Sequence, residues 1–568
     1  MLRALYLVII AVCILPTIPG LLGVVVSALG YVPPIGLHHF SFDGFNAVFD
    51  WEGVWTSIGL TFYSAIFSSY LACFIAFAIL QASWGSKFWR KIEVSLSPLL
   101  AMPHVAFAIG FAFLFAPTGM GVRVLNQLFG YDPNAQTVND LALLIKDPHA
   151  LGLVIMLAIK EVPFLLLMSI PILQQLKVDK VEKVSHSMGY SSAQAWWKCV
   201  FPQWLAKLRF PMLAVLAYSL SVVDVAIIGP TNPPTFAVLV WQWFNDPDLS
   251  LLPRAAAGAV ILFVMASLLI GFARLVEWLT TKGFKRWQYS GRNGFRLPGK
   301  TLFSLIALLA LLMIPLMVLW SFAQRWRFPD LLPSRYSLLF WEYEWHSILG
   351  TLEQSMSIAL ISATIALVLA LIAHEYRLRY RWQIPGYIIA IPMLIPQLSV
   401  LFGMQVVTLY LNSNAYFFWV CWAHVFFAFP FIYLSLDGPW RSFDNSLTRV
   451  ALSLGKTPMQ AWLKVKLPIL LPAIAFAWLV GISVSLAQYL PTLVLGAGRI
   501  STITTEAVAL SSGFDRRVAA IYAIWQALLP FMFFSFAILL SHLHRTYRRL
   551  SIKGLLLNES LSRKPRHP

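Results

Sequence analysis

The amino-acid sequence predicts an all-α polytopic membrane protein of about 12 transmembrane helices, arranged as two parallel six-helix repeats. Three observations carry that expectation. Apolar residues make up 59% of the 568 and charged residues only 12%, about half the charge fraction of a soluble globular chain, and the mean hydropathy is +0.73. Apolar runs long enough to cross about 30 Å of hydrocarbon recur along the whole chain. One polar stretch also occurs twice: Ser187 to Pro202 reads SMGYSSAQAWWKCVFP and Ser453 to Pro468 reads SLGKTPMQAWLKVKLP. At a constant offset (455 − 189 = 266) the two share Ser, Gly, Gln, Ala, Trp, Lys and Pro without a gap.

Taken in order, the spans expected in the first half are Leu5 to Leu29, Ser57 to Leu80, Val94 to Ala116, Leu151 to Leu173, Leu208 to Ile228 and Ala255 to Leu275. The first begins after Arg3 and is longer than a signal-peptide core, so it reads as a retained helix. In the second half they are Leu302 to Phe322, Ser355 to Ile372, Ile384 to Leu409, Tyr416 to Leu436, Ile469 to Leu490 and Val518 to Leu540. Prolines at Pro385, Pro392 and Pro396 mark the Ile384 span as broken or re-entrant. Between the halves, Thr281 to Lys300 carries Lys282, Lys285, Arg286, Arg292, Arg296 and Lys300, no acid, and several Gly and Pro; it reads as a basic linker able to lie on anionic headgroups. The chain thus divides into a first repeat (1–280), the linker (281–300), a second repeat (301–550) and a tail (551–568).

Cation asymmetry sets the expected orientation. Lys87, Arg90 and Lys91, then Lys177, Lys180, Lys183, Lys198 and Lys207, then Arg377, Arg379 and Arg381, then Arg441, Arg449, Lys456, Lys464 and Lys466 fall on one side, with Arg545, Arg548 and Arg549 in the tail. Tyr31 to Trp55, on the other side, has no Lys or Arg. Arg325, Arg327 and Arg335, and Arg516 and Arg517, run against the contrast. The sum places both termini, the linker and both copies of the repeated stretch in the cytoplasm. With six spans per half, the repeat is then parallel. The net charge of +18 follows from this topology, and no basic face or tail suggests a nucleic-acid partner. Cys13, Cys73, Cys199 and Cys421 lie far apart and read as packing residues.

Each repeated stretch lies between the fourth and fifth spans of its half. It resembles the EAA loop of binding-protein-dependent ABC importer permeases of the type I fold, in which a Gly is followed by a Pro thirteen positions on. Gly189 to Pro202 and Gly455 to Pro468 both keep that spacing. The resemblance implies a short cytoplasmic helix, a turn at the Gly, and a second segment ending at the Pro. It further implies docking on two copies of a separate ATPase, which would hold the ATP and Mg; this chain would bind no cofactor and would not itself be an enzyme. An extracytoplasmic solute-binding protein and the lipid bilayer of a bacterial inner membrane complete the implied partners. The implied docking residues are Gly189, Gln194, Ala195, Trp196, Lys198 and Pro202, and Gly455, Gln460, Ala461, Trp462, Lys464 and Pro468. Ala195, Trp196, Ala461 and Trp462 would supply apolar contact, with Lys198 and Lys464 at its rim. The usual motif glutamate is replaced by Lys183 and Arg449, with Glu182 one position early. Fusion of both halves is similar to the ferric-iron and thiamine uptake permeases, so a thiamine-like cation, ferric iron or another small solute is the expected cargo.

Ionisable residues inside spans are costly and therefore mark candidate solute-path positions. Lys160 and Glu161 sit in the fourth span, Asp224 near the end of the fifth, and His424 in the tenth; Gln488 and Tyr489 occupy the corresponding end of the eleventh. Each has a plainer reading: interhelical pairing for Lys160 and Glu161, a cap for Asp224, packing for His424. The Trp residues are explained mostly by interfacial anchoring, and His38 with His39 lacks a third metal ligand. No Walker A, GxSxG or HExxH pattern is present. The alternatives are a secondary transporter in which Glu161 or Asp224 carries protons, and an intramembrane enzyme.

Overall fold

The computed structural model describes residues 2–131, 144–229, 231–291, 293–380, 386–411, 414–513 and 515–536. Arg292, Arg381, Pro385, Arg545, Arg548, Arg549, the 551–568 tail and the end of the last expected span lie outside them.

The first half contains α1 (Leu2–Cys13), α2 (Thr17–Ala28), α3 (Val54–Ser83), α4 (Lys87–Ala101), α5 (His104–Phe115), α6 (Leu151–Leu176), α7 (Val178–Ser187), α8 (Arg209–Ser221), α9 (Asp224–Ile228), α10 (Phe236–Phe244) and α11 (Leu252–Tyr289). The second contains α12 (Gly299–Phe322), α13 (Leu339–Tyr380), α14 (Gln397–Leu411), α15 (Tyr416–Ser442), α16 (Asn445–Ser453), α17 (Leu467–Ala487), α18 (Leu490–Gly496), α19 (Ile503–Ser511) and a last helix, α20 (Arg516–Phe536). Two short strands, Ala323–Arg325 and Arg335–Tyr336, pair after α12.

Among the described residues, ten helical segments are long and apolar enough to span a membrane, against the 12 expected. The difference lies in two spans. Ile384 to Leu409 is broken, as its prolines require, into Gly386–Ile389, Ile391–Leu394 and α14. Leu208 to Ile228 is split between Ser221 and Asp224. The helix beginning the third span also stops at Ala101, before Pro103, and α5 starts afresh at His104. The linker is shorter than its composition suggests, because α11 continues to Tyr289.

Each half lends its first helix to the other. α2 packs on α14 of the second half, and α12 packs on α3 and α5 of the first. Glycine makes both crossings close. A Cβ on Gly403 would lie 1.6 Å from the Gly20 carbonyl oxygen, and one on Gly299 would lie 1.9 Å from that of Ala78; without side chains the backbones approach directly. Elsewhere Ser399 donates to the Ala259 carbonyl at 2.7 Å, also across the halves.

On the face remote from the repeated loops, Arg123 and Arg516 close the seam between the halves, and Arg517 is held within the second half. Arg123 is buried and donates to the carbonyls of Arg327 (2.7 Å) and Asp330 (2.5 Å). Arg516 reaches Thr118 Oγ1 at 2.8 Å and lies over the Trp320 ring, and Arg517 pairs with Asp515 and lies over Phe340. Arg516 and Arg517, which run against the cation asymmetry, are thus held in local contacts.

Candidate functional site: two docking loops and a duplicated helix break

The repeated stretches fold alike residue by residue. α7 and α16 each end in a Schellman turn: Gly189 (φ +80°) and Gly455 (φ +77°) take the left-handed conformation. Tyr190 N donates to Ser185 O at 3.0 Å, and Lys456 N to Ala451 O at 3.1 Å. A capping box starts the next turn. Ser191 N donates to Gln194 Oε1 at 2.9 Å while Gln194 N returns to Ser191 Oγ at 3.3 Å; Thr457 and Gln460 repeat both bonds at 3.2 and 3.3 Å. Trp196–Val200 and Trp462–Lys466 then form wide π-helical turns. Pro202 and Pro468 explain the widening, since neither has an N–H for the carbonyl four residues back.

Several expected docking residues face inward. Ala195, Trp196, Ala461 and Lys198 are buried within this chain, and Trp462 is half-buried. The cause is local pairing. Trp196 Nε1 donates to Glu182 Oε1 at 2.8 Å, which also accepts from Ser192 Oγ at 2.7 Å. Lys198 gives its ammonium to the carbonyls of Trp287 (2.8 Å) and Ser290 and stacks on the Trp287 ring. Lys198 is therefore a strut under the first loop, whereas Lys464 is exposed. In the second loop the buried lysine is Lys466, which donates to Glu375 Oε1 at 2.5 Å. The same oxygen accepts from Trp462 Nε1 at 3.1 Å and Trp440 Nε1 at 3.0 Å. Thus the equivalent tryptophans Trp196 and Trp462 each keep a carboxylate partner, from Glu182 in one copy and from α13 in the other.

What the loops offer outward is a matched apolar pair that residue-type reasoning missed. Val184 (59% exposed) and Met188 (63%) in the first loop correspond, at the same offset of 266, to Val450 (57%) and Leu454 (74%) in the second. Met188 and Leu454 already lie in the aligned stretch, and extending the alignment three residues upstream of Ser187 adds Val184 and Val450.

The 266-residue offset also holds at a break deeper in the bundle. α8 ends at Ser221 and α9 begins at Asp224; α17 ends at Ala487 and α18 begins at Leu490. Val222 (φ −65°, ψ 129°) and Gln488 (−69°, 122°) share one conformation, and Val223 (−115°, −52°) and Tyr489 (−103°, −66°) another. Polar groups of both halves gather there. His104 Nε2 and Glu161 Oε1 lie 2.9 Å apart, and the His104 ring packs on Tyr218 with centroids 4.8 Å apart. Asp224 is within electrostatic range of His104, Tyr218 and Tyr489. Tyr489 meets Trp241 of the first half edge-on at 6.2 Å, and Gln488 Oε1 lies 3.5 Å from Gln397 Nε2. Lys160 instead donates to the Leu99 carbonyl at 3.1 Å. His424 is buried and held at both nitrogens, by Ser485 Oγ at 2.7 Å and Thr492 Oγ1 at 2.8 Å. Among the described residues no group of three or more His, Cys, Asp or Glu side chains could hold a metal.

A duplicated bundle of membrane-length helices, with interrupted helices facing each other across the halves, defines a polytopic transport permease. The chain is 30% identical over 545 residues to the inner membrane ABC transporter permease protein YnjC of Escherichia coli K12, covering 94% of this chain and 95% of that one. It belongs to the ABC transporter permeases. Shorter matches relate it to the spermidine/putrescine transport system permease protein PotC of the same organism (24% identity; 25% of this chain, 54% of PotC) and to the putrescine transport system permease protein PotI (26%; 26% and 58%). No protein-family model matches the chain. This membership supports a multi-pass inner-membrane protein that acts as a transport subunit, and it replaces the reading as an ion-gradient carrier.

Proposed function

We propose that this chain is the fused permease of an ATP-driven importer, with both repeated loops on the cytoplasmic side, each seated on one copy of a separate ATPase. The observation that carries this reading is the repetition of one loop geometry, from Schellman turn through capping box to π-helical turn, with apolar side chains at the same two positions turned outward in each copy. Such patches on otherwise polar loops fit a protein partner. ATP and Mg belong to that partner, and a solute-binding protein delivers cargo to the opposite mouth. Both termini lie in the cytoplasm.

The helix breaks are the proposed solute station. Interrupted helices expose backbone groups where they line a cavity, and Glu161 and Asp224 beside the rings of Tyr218, Tyr489 and Trp241 favour a small organic cation over bare ferric iron. A thiamine-like or polyamine-like cation suits that chemistry.

The test is assembly. Replacing Met188 and Leu454 together with Asp should lower recovery of the co-expressed ATPase with the purified permease by at least about tenfold, the scale of one lost apolar anchor at an interface. Unchanged recovery from a folded double variant would overturn the reading.

A further inference from the structure

The two halves attach their loops to the bundle by different chemistry. Helices α3 and α13 are equivalent: Thr61 Oγ1 accepts from Phe236 N at 2.7 Å and Ser355 Oγ from Ile503 N at 2.9 Å, at an offset of 355 − 61 = 294. The buried faces agree at that offset, Ala65 with Ala359, Ser68 with Ser362, Ala72 with Ala366 and Ala76 with Ala370. It carries Gln81 onto Glu375 (375 − 81 = 294).

These two positions reach the loops by unlike routes. Gln81 clasps linker backbone, donating to the Phe295 carbonyl at 3.1 Å and accepting from Leu297 N at 2.9 Å. The Phe295 carbonyl also accepts from Trp197 Nε1 of the first loop at 2.9 Å. A Cβ on Gly294 would stand 2.8 Å from Gln194 Cα, so the linker lies directly on that loop. Glu375 needs no intermediary: one oxygen binds Trp462 and Lys466 of the second loop together with Trp440 of α15. The Lys466 side chain is only 5% exposed, and a charge-assisted bond at such a site is stronger than a neutral one. From α15, His424 then bonds Ser485 and Thr492 on either side of the second helix break.

We propose that Glu375 and Gln81 are matched positioning residues through which loop movement reaches the helix bundle, Glu375 directly and Gln81 through the linker, so that the two ATPase seats are wired differently. This rests on the loops being ATPase seats. The inter-half linker is then a working part of the first seat, and the second break depends on a single carboxylate.

Hydrogen exchange on the full permease–ATPase complex, with and without ATP plus vanadate, reads this without a known solute. In the wild type, trapping should change amide protection at both 221–229 and 485–496. Glu375→Gln should retain the ATPase and the response at 221–229, yet lose about tenfold of the response at 485–496, the scale of one bond to a charged group. Gln81→Leu should show the reverse. Equal responses at both breaks in Glu375→Gln, equal losses at both, or faster exchange throughout α13 and α15 before nucleotide is added would each overturn the proposal, the last by exposing a purely structural role. Should Glu375→Gln not fold, the Glu375→Gln/Lys466→Met double variant removes the stranded charge and is judged by the same outcomes. A wild-type permease that does not bind the ATPase would overturn the docking reading itself, and this inference with it.

Discussion

His424 is held at both ring nitrogens by hydroxyls of α17 and α18, an arrangement that favours its reading as a packing residue. His424→Leu should leave the Ser485 hydroxyl without its partner and Thr492 with only its 3.4 Å bond to the Gln488 carbonyl, at a cost of about 1–3 kcal/mol for the group left unsatisfied. The check is the melting temperature in detergent, with ATPase recovery per folded protein unchanged. Asp224 and Glu161 belong to a different class. Asp224→Asn and Glu161→Gln should each lower uptake by about tenfold or more, measured with whichever of labelled putrescine and thiamine the wild type imports, while ATPase recovery stays level. Intramembrane charge was readable from the sequence as a cost requiring a use. The partners were not, because His104, Tyr218 and Trp241 are drawn together only by tertiary packing.

At the scale of elements, the loops were the most legible part of the chain. Matched Gly-to-Pro spacing gave the turn and the end of each segment, because Gly supplies positive φ and Pro withholds an N–H. Their inward and outward faces were less legible, since Trp196 and Lys198 could have served a partner equally well until Glu182 and the Trp287 carbonyl were found beneath them. Gln194 and Gln460 prove to be the closing residues of capping boxes. Ser191→Ala and Thr457→Ala should each cost about 1 kcal/mol of local stability, seen as roughly fivefold faster amide exchange at 192–195 and 459–461 respectively. The fifth span shows where sequence reading ran out. No Gly or Pro lies between Pro211 and Gly229, so the gap between Ser221 and Asp224 had no local signal; only the match to Gln488 and Tyr489 in the other half reveals it.

For the whole molecule, two parallel halves followed from counting spans and loop cations, but the exchange of first helices did not. Apolar helices look alike in sequence, and only the small residues at a crossing disclose its partner. Gly403→Val places side-chain atoms where the Gly20 carbonyl stands. It should destabilise the protein by about 1–3 kcal/mol through overpacking, measured as a lower melting temperature in detergent. On the proposed reading, the two-half architecture lets the repeated loops act as levers that rock the breaks of Val222–Val223 and Gln488–Tyr489 against one another. The most direct measurement is site-directed cross-linking: cysteine placed at 188 or at 454 in the assembled transporter, joined to the ATPase by a short bifunctional maleimide. Cross-links from both positions to the ATPase, weakened on vanadate trapping or preserved throughout, are the predicted result; a folded, assembled complex in which neither position links to the ATPase would contradict the account.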